Sequence, residues 1–327
     1  AGLLLTHHPL LLSGVHGVPA TDPKGALVHR MITSGVAHFV AHTNADVAAR
    51  GVSEALARRI GLTGLRPLEA DSLAALDHLT VFVPEPDLNT MISALSAAGA
   101  GAIGNYSDCT FTVEGTGTYR PLPGADPADG QIGVLRRKPE TRLSMVFARA
   151  NRASVLAAMR SSHPYEEIAF ELTEQPDLDG PTGTGRLGDL DTEQSLTDFV
   201  ALVAERLPAT VWGIRAAGDR AQRIRTVAVC GGSGAGYVEL ARRAGADVFL
   251  TSDLKHHSTI EAVTERAAFD RSSKPMALVD AAHWATEWPW LQSLADQLTE
   301  RFGNDLSVEV STQVTDPWTV HQAQLPD

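Results

Sequence analysis

Thr226-Val-Ala-Val-Cys230 runs directly into Gly231-Gly-Ser-Gly-Ala-Gly236 and then into a helix-forming stretch, Tyr237 to Ala244. A short unbroken apolar run closed by glycines reads as a strand buried on both faces of a parallel sheet. A helix straight after it makes the strand–turn–helix unit of an α/β fold. The pattern repeats downstream. Asp247-Val-Phe-Leu250 ends in Thr251-Ser-Asp-Leu-Lys-His-His257, and Met276-Ala-Leu-Val279 ends in Asp280-Ala-Ala-His283 before a helix over Trp284 to Phe302. It also occurs upstream. Gly2-Leu-Leu-Leu-Thr6 and Ala37-His-Phe-Val-Ala41 read as strands, with helices over Pro23 to Ser34 and Val52 to Ile60. Leu3-Leu-Leu-Thr-His-His8 parallels Val248-Phe-Leu-Thr-Ser-Asp253, so two related α/β halves are expected to face each other. Their strand ends would then meet at one crevice, where open α/β sheets bind ligands. The first run opens without a cap or polar lead-in, and such strands rarely begin a domain, so a preceding segment of the fold is expected.

From about Leu73 the texture changes. Strands are expected at Leu79–Val83, Cys109–Val113, Gln131–Leu135, Leu143–Ala148 and Glu167–Leu172, with helices at Pro86–Ala98 and Arg152–Ser161. That approximates β-α-β-β-α-β, the ferredoxin-like arrangement. A turn-rich linker, Gln175-Pro-Asp-Leu-Asp-Gly-Pro-Thr-Gly-Thr-Gly-Arg186, closes it. The expected organisation is a core α/β domain over 1–70, an inserted ferredoxin-like α+β domain over 71–178, and the rest of the core over 179–327.

The 327 residues are 43% hydrophobic and 20% charged, ordinary for a globular protein of about two domains. No apolar run approaches the roughly 20 residues that span a bilayer. Two cysteines, Cys109 and Cys230, cannot make a disulfide framework and suit a reducing compartment, so a cytoplasmic protein is expected. The net charge of −12 disfavours general nucleic-acid binding, whose affinity comes from basic groups neutralising phosphates. A few metal-binding carboxylates cannot account for that surplus; a solvated acidic surface does.

Three constellations follow strands and could carry chemistry. In His7-His8-Pro9, the proline pushes His8 towards an extended conformation, so the two imidazoles are expected on opposite sides, flanking two ions rather than chelating one. In His42-Thr-Asn-Ala-Asp46, the carboxylate can bridge two cations and His42 can ligate or orient it; a capping turn is the plain alternative. His283-Trp-Ala-Thr-Glu287 places an imidazole and a carboxylate one helical turn apart on one face. Singly, each has an ordinary structural explanation. Jointly, they offer nitrogen and oxygen donors without thiolate, a set suited to Zn, Mn, Fe, Co or Ni. Gly231–Gly236 could cradle a substrate phosphate or allow close backbone packing beside the metals. Asp253, Lys255 and His257 lie near the same edge and could move protons or hold an anion. In the insert, Glu114-Gly-Thr-Gly-Thr-Tyr-Arg-Pro121 and His163-Pro-Tyr-Glu-Glu167 read as architecture in preference to catalysis.

Together these motifs resemble the GTP cyclohydrolase I type 2 homologues, the Nif-three-like dinuclear metal proteins. The resemblance spans the chain and implies metal ligation by His7, His8, Asp46, His283 and Glu287, with His42 and His257 near the site. It implies a homohexamer with sites facing an interior cavity, and an insert like the PII/CutA-type domain of longer bacterial members. His256 and Ser258 stand where the pattern has Tyr and Asp, and the resemblance implies a further strand and helix before the strand that ends in Thr6-His-His-Pro9. The expectation is a hydrolase using two divalent ions (Zn, or Fe, Mn, Co or Ni) on a small nucleotide or related phosphoester. The ions would activate water, and His257 or Asp253 would be the catalytic acid/base. The rival expectation is a non-catalytic metal-binding regulatory or interaction protein.

Overall fold

The structure, a computed structural model, describes residues 2–269 and 276–322. Along the chain the elements are β1 (Leu3–Thr6), α1 (Pro23–Thr33), β2 (Ala37–Val40), α2 (Thr43–Val47), α3 (Val52–Arg59) and β3 (Thr63–Ser72). Next come β4 (Leu76–Val83), α4 (Leu88–Ala97), β5 (Phe111–Tyr119), β6 (Arg136–Ala148), α5 (Arg152–Ser162) and β7 (Phe170–Glu174). The chain continues with β8 (Asp179–Ser195), α6 (Leu196–Arg206), β9 (Ile214–Ala217), β10 (Arg223–Ser233), α7 (Val238–Arg243), β11 (Val248–Ser252) and α8 (His256–Phe269). It ends with β12 (Ala277–Ala281), α9 (His283–Glu287) and α10 (Pro289–Phe302). Contacts divide the chain into one unit up to Asp71 and from Pro181 onward, and a second over Ser72–Gly180. Among the described residues no helix is long and apolar enough to cross a membrane.

The first unit is the α/β core. β10, β11 and β12 run parallel in the middle of a six-stranded sheet of order β3-β8-β10-β11-β12-β9. Every residue of β11 and β12 is buried. Alternation sorts their side chains. Val227, Val229, Val248, Leu250, Ala277 and Val279 pack with Leu56 of α3 and Phe199 and Val203 of α6. Ala228, Phe249 and Leu278 pack in a second cluster with Ala241 of α7. Both faces are thus covered, which is why these strands are continuously apolar. β1 and β2 form a separate parallel pair, Leu3 opposite Ala37. The two halves of the core are therefore unequal in strand number but alike in ending parallel strands at histidines and carboxylates.

The second unit has the strand order β5-β6-β4-β7, all antiparallel, with α4 after β4 and α5 after β6. That is the ferredoxin-like topology. Its core packs Leu79, Val81 and Phe147 of the sheet against Met91, Leu95, Val155 and Met159 of the two helices.

Several sequence expectations are corrected. Gln131–Leu135 is not a strand: Val134 N–H donates to the Gln131 carbonyl (3.1 Å) and Gly133 takes a positive φ of 79°, closing a turn. The strand that pairs with β5 is instead the 13-residue β6, which includes Leu143–Ala148. Most of the apparent linker is strand β8. Its glycines are there for close approach: a Cβ on Gly183 would fall 2.1 Å from the Glu69 carbonyl oxygen of β3. The helix expected over Trp284–Phe302 is interrupted, because Pro289 lacks an N–H and starts α10 afresh.

Two arginines and one acid hold the insert's sheet to its helix. Asp77 is fully buried and accepts from Arg149 Nε (3.0 Å) and from Arg152 Nε (2.6 Å) and Nη2 (3.0 Å). The Arg152 hydrogen bonds, against the opposing effect of burial and with help from Arg149, hold its carboxyl below the ordinary range. The unfolded chain restores a value of about 3.9. The stabilisation is therefore complete above about pH 4 and lost as pH falls through the lower folded value. Asp77→Asn is expected to cost the insert about 2 kcal/mol at neutral pH, the size of a lost charge-assisted hydrogen bond. Hydrogen-exchange protection of the β4 and β6 amides, corrected for intrinsic rate, reads this. The gap between wild type and variant should narrow on acidification; a pH-independent gap contradicts the assignment.

Candidate metal centre

Each group near the candidate centre follows the end of a parallel strand. His7 and His8 follow β1, and Asp46 lies on α2 after β2. Asp253 follows β11, and His283 and Glu287 occupy α9 after β12. The floor is apolar: Ala41, Ala45, Val52, Ala55 and Trp290 form one buried cluster.

Glu287 is the hub. Its side chain is 11% exposed, with Oε1 2.9 Å from His283 Nε2 and 3.4 Å from His7 Nε2, and Oε2 2.9 Å from His8 Nε2. His7 Nε2 also stands 3.6 Å from Asp46 Oδ1. The remaining nitrogens fix the tautomers. His7 Nδ1 lies 2.9 Å from the Ala41 carbonyl, which can only accept, so Nδ1 carries the proton. His283 Nδ1 lies 2.7 Å from Asp253 Oδ2, a carboxylate oxygen, so it too donates. In the neutral rings that leaves the Nε2 lone pairs of both turned inward. Both are buried, and neither makes a hydrogen bond despite the nearby carboxylate oxygens. Close approach without hydrogen-bond geometry is how ligands that share a cation are arranged, with outer partners setting the tautomer.

Among the described residues, two overlapping groups have ligand atoms all within 4.8 Å of one another: His7, His8 and His42, and His8, His283 and Glu287. The expectation that His7 and His8 lie on opposite sides is corrected: both rings turn to Glu287, with centroids 5.0 Å apart. Their planes are 77° apart, yet nitrogens of both enter one group. Thr6 Oγ1 donates to the His8 carbonyl (2.8 Å), curling the chain where an extended segment would have separated them. His42 stacks on His7, centroids 4.7 Å apart.

Electrostatics follow from this packing. Burial raises the Glu287 carboxyl, but the close approach and charge of the His283 and His7 imidazoles outweigh it and hold the group well below the ordinary range. The adjacent Glu287 carboxylate, against burial, and then the hydrogen bond and charge of Asp253 push His283 up to about 9. Burial lowers His7, yet Glu287, Asp46 and the Ala41 carbonyl together raise it. Burial raises Asp46. The carboxylates that strengthen proton binding by these imidazoles would strengthen cation binding in the same way, so the donor set fits a metal. His7 and Glu287 form the floor, while His8 (46% exposed) and His283 (34%) form an open rim.

The glycine run serves close packing. Gly232 has φ +68°, and a Cβ there would fall 2.4 Å from Glu287 Oε1 and 3.2 Å from His283 Nε2. Its N–H donates to Thr286 Oγ1 (2.9 Å) and its carbonyl accepts from Thr251 Oγ1 (2.9 Å). A Cβ on Gly234 would meet Thr251 Oγ1 at 2.3 Å.

Among the sequence candidates, Asp253 is engaged with His283. His257, on the exposed first turn of α8, packs its ring edge-on against His256, 5.3 Å between centroids, and is in neither ligand group. Sequence reasoning missed Thr251, Thr286 and Arg186. Arg186 is buried in what read as a linker and donates to the carbonyls of Gly183, Gly185 and Ala48, each at 2.7 Å, tying β8 to the segment that carries Asp46. A lone arginine among glycines was the available signal.

A family model described as Duf34/NIF3 (NGG1p interacting factor 3) matches residues 1–317. A Mycobacterium leprae (strain TN) protein named GTP cyclohydrolase 1 type 2 homolog is 45% identical over 330 residues, covering 100% of this chain and 83% of that protein. The crystal structure of a Bacillus cereus protein related to NIF3 superposes with TM-score 0.62 at 33% identity, covering 98% of this chain and 84% of that one. The crystal structure of Staphylococcus aureus protein SA1388 gives TM-score 0.74 at 25% identity, covering 98% and 82%.

Gly232→Ala tests the cradle. The positive φ and the clash with Glu287 should cost about 1–3 kcal/mol and weaken zinc binding at least tenfold by titration calorimetry. Unchanged affinity would show that the strand makes no close approach that matters.

Proposed function

The chain belongs to the Duf34/NIF3 family, and from that premise we propose that it is a dinuclear-metal protein hydrolysing a nucleotide or related phosphoester. The observation that carries this reading is the pair of buried imidazole nitrogens, His7 Nε2 and His283 Nε2, turned on Glu287 with no hydrogen bond of their own. His7, His8, Asp46, His283 and Glu287 would hold the ions, Glu287 reaching three of the imidazoles. Two such cations supply Lewis acidity and lower the pKa of bound water. The relatives' name, GTP cyclohydrolase 1 type 2 homolog, supports hydrolysis on a nucleotide-like substrate.

The chain's own residues divide the remaining work. The Ala41 carbonyl and Asp253 fix the tautomers of His7 and His283, which makes Asp253 a positioning residue. Substrate enters over the exposed rim of His8 and His283. His257, outside the ligand groups, is left as the candidate to exchange a proton with substrate. Assembly into a homohexamer rests on the family resemblance. A cytoplasmic, reducing setting fits the two free cysteines; burial pushes the Cys230 thiol up to about 12, which keeps it unreactive.

A second reading, a non-catalytic metal-binding regulatory protein, is favoured by one observation: Asp253 is committed to a ligand and His257 lies apart from the cluster.

The test loads wild type and Glu287→Ala with zinc or manganese and offers nucleotides, cyclic nucleotides and phosphodiesters. The hydrolase reading expects turnover by wild type and at least a 100-fold loss in the variant. It also expects a chelator to lower the wild-type melting temperature, because bound ligand at 100 times its Kd contributes about 2.7 kcal/mol. Chelator-sensitive stability without turnover selects the regulatory reading. Stability indifferent to metal in wild type removes both.

A further inference from the structure

The insert's two motifs, Glu114–Pro121 and His163–Glu167, are not used by the metal centre, yet they meet. Residues 118–121 at the end of β5 and residues 165–167 before β7 line one cavity of about 330 Å³. That is within the size range of small-molecule sites, about 300–1,000 Å³. Its walls include the rings of Tyr119 and Tyr165, centroids 6.2 Å apart and planes at 55°, so the two rings form a corner.

Each ring is braced from behind. Tyr119 Oη donates to the Asp129 carbonyl (2.6 Å), and Tyr165 Oη donates to Glu140 Oε1 (2.9 Å). One glycine of the first motif makes room for this: a Cβ on Gly117 would fall 1.9 Å from Glu140 Oε2. Three carboxylates, Glu140, Glu166 and Glu167, line the cavity against one guanidinium, Arg120. Arg120 already donates to the Gly133 carbonyl (2.6 Å), and Glu166 accepts from the Asp126 N–H (3.1 Å). Glu167 is exposed and has no partner among the described residues. Lys138 stands 5.5 Å from the Tyr165 centroid but does not line the cavity. The cavity thus combines aromatic faces with excess negative charge and has no ammonium of its own.

We propose that this cavity binds a small organic ammonium ion, its charge against the Tyr119–Tyr165 corner and the carboxylates, and its apolar body against Phe82 and Pro121. Aromatic faces attract cations through the ring quadrupole, most strongly where water is excluded, and quaternary ammonium groups are recognised in this way. The site is independent of the metal reading.

Titration calorimetry on the full chain decides it. The probes are choline, its neutral carbon isostere 3,3-dimethylbutan-1-ol, and phenethylammonium. At least one cation should bind, and choline, if it is that cation, about tenfold or more above its isostere. Glu140→Gln and, as a surface change that does not threaten folding, Glu167→Gln should each weaken binding several-fold. Tyr119→Leu should weaken it further, and Glu287→Ala should leave it unchanged. Failure of both cations to bind, equal binding of choline and its isostere, or indifference to both Glu→Gln changes in folded protein would overturn the proposal.

Discussion

A carboxylate set among imidazoles on an apolar floor organises this molecule. Glu287 is nearly removed from water, and removing an ionised carboxylate from water costs several kcal/mol unless it is compensated. The compensation comes from His7, His8 and His283, which approach from two distant parts of the chain. Imidazoles can offer either a proton or a lone pair, so the same arrangement serves a protonated or a metal-loaded state. In the neutral rings the Ala41 carbonyl and Asp253 select the tautomer whose lone pair faces inward on His7 and His283.

Much of the core serves to make that meeting possible. The parallel strands β10–β12, buried on both faces, set the height at which Asp253, His283 and Glu287 emerge. Gly232 lets β10 pass against Glu287 without a side chain between them, and Thr286 and Thr251 hold its peptide in place. Arg186 spends its donors on three carbonyls, one of them Ala48, and so fixes the Asp46 segment to β8. Its guanidinium is lowered in pKa by burial, with Glu54 the nearest opposing charge.

The α/β alternation was legible because fully buried parallel strands are continuously apolar, and β11 and β12 show this at every position. That His7, His8, Asp46, His283 and Glu287 could share one site was readable only jointly, from strand-end placement, the four-residue helical spacing of His283 and Glu287, and the family resemblance. Strand β8 was not, because its glycines answer to close approach by β3, a contact more than 100 residues away in sequence. The role of Gly232 was hidden for the same reason: turn, phosphate cradle and close packing all use glycine, and only the distance to Glu287 separates them. The tie between Asp253 and His283 was equally invisible, since a polar residue after a strand fits an acid, a base or an orienting group. In the insert, a hairpin excursion and a turn more than 40 residues apart read as separate features until folding brought Tyr119 and Tyr165 to one corner.

Anomalous diffraction from crystals of the full chain grown with zinc or manganese tests the central claim most directly. Two anomalous peaks should lie at ligand distance, about 2.0–2.2 Å, from nitrogen and oxygen atoms of this cluster, with His7 Nε2 and His283 Nε2 among the contacts. Metal-replete crystals in which those two nitrogens instead bond to water or to a carboxylate, with no ion between them, would contradict the account.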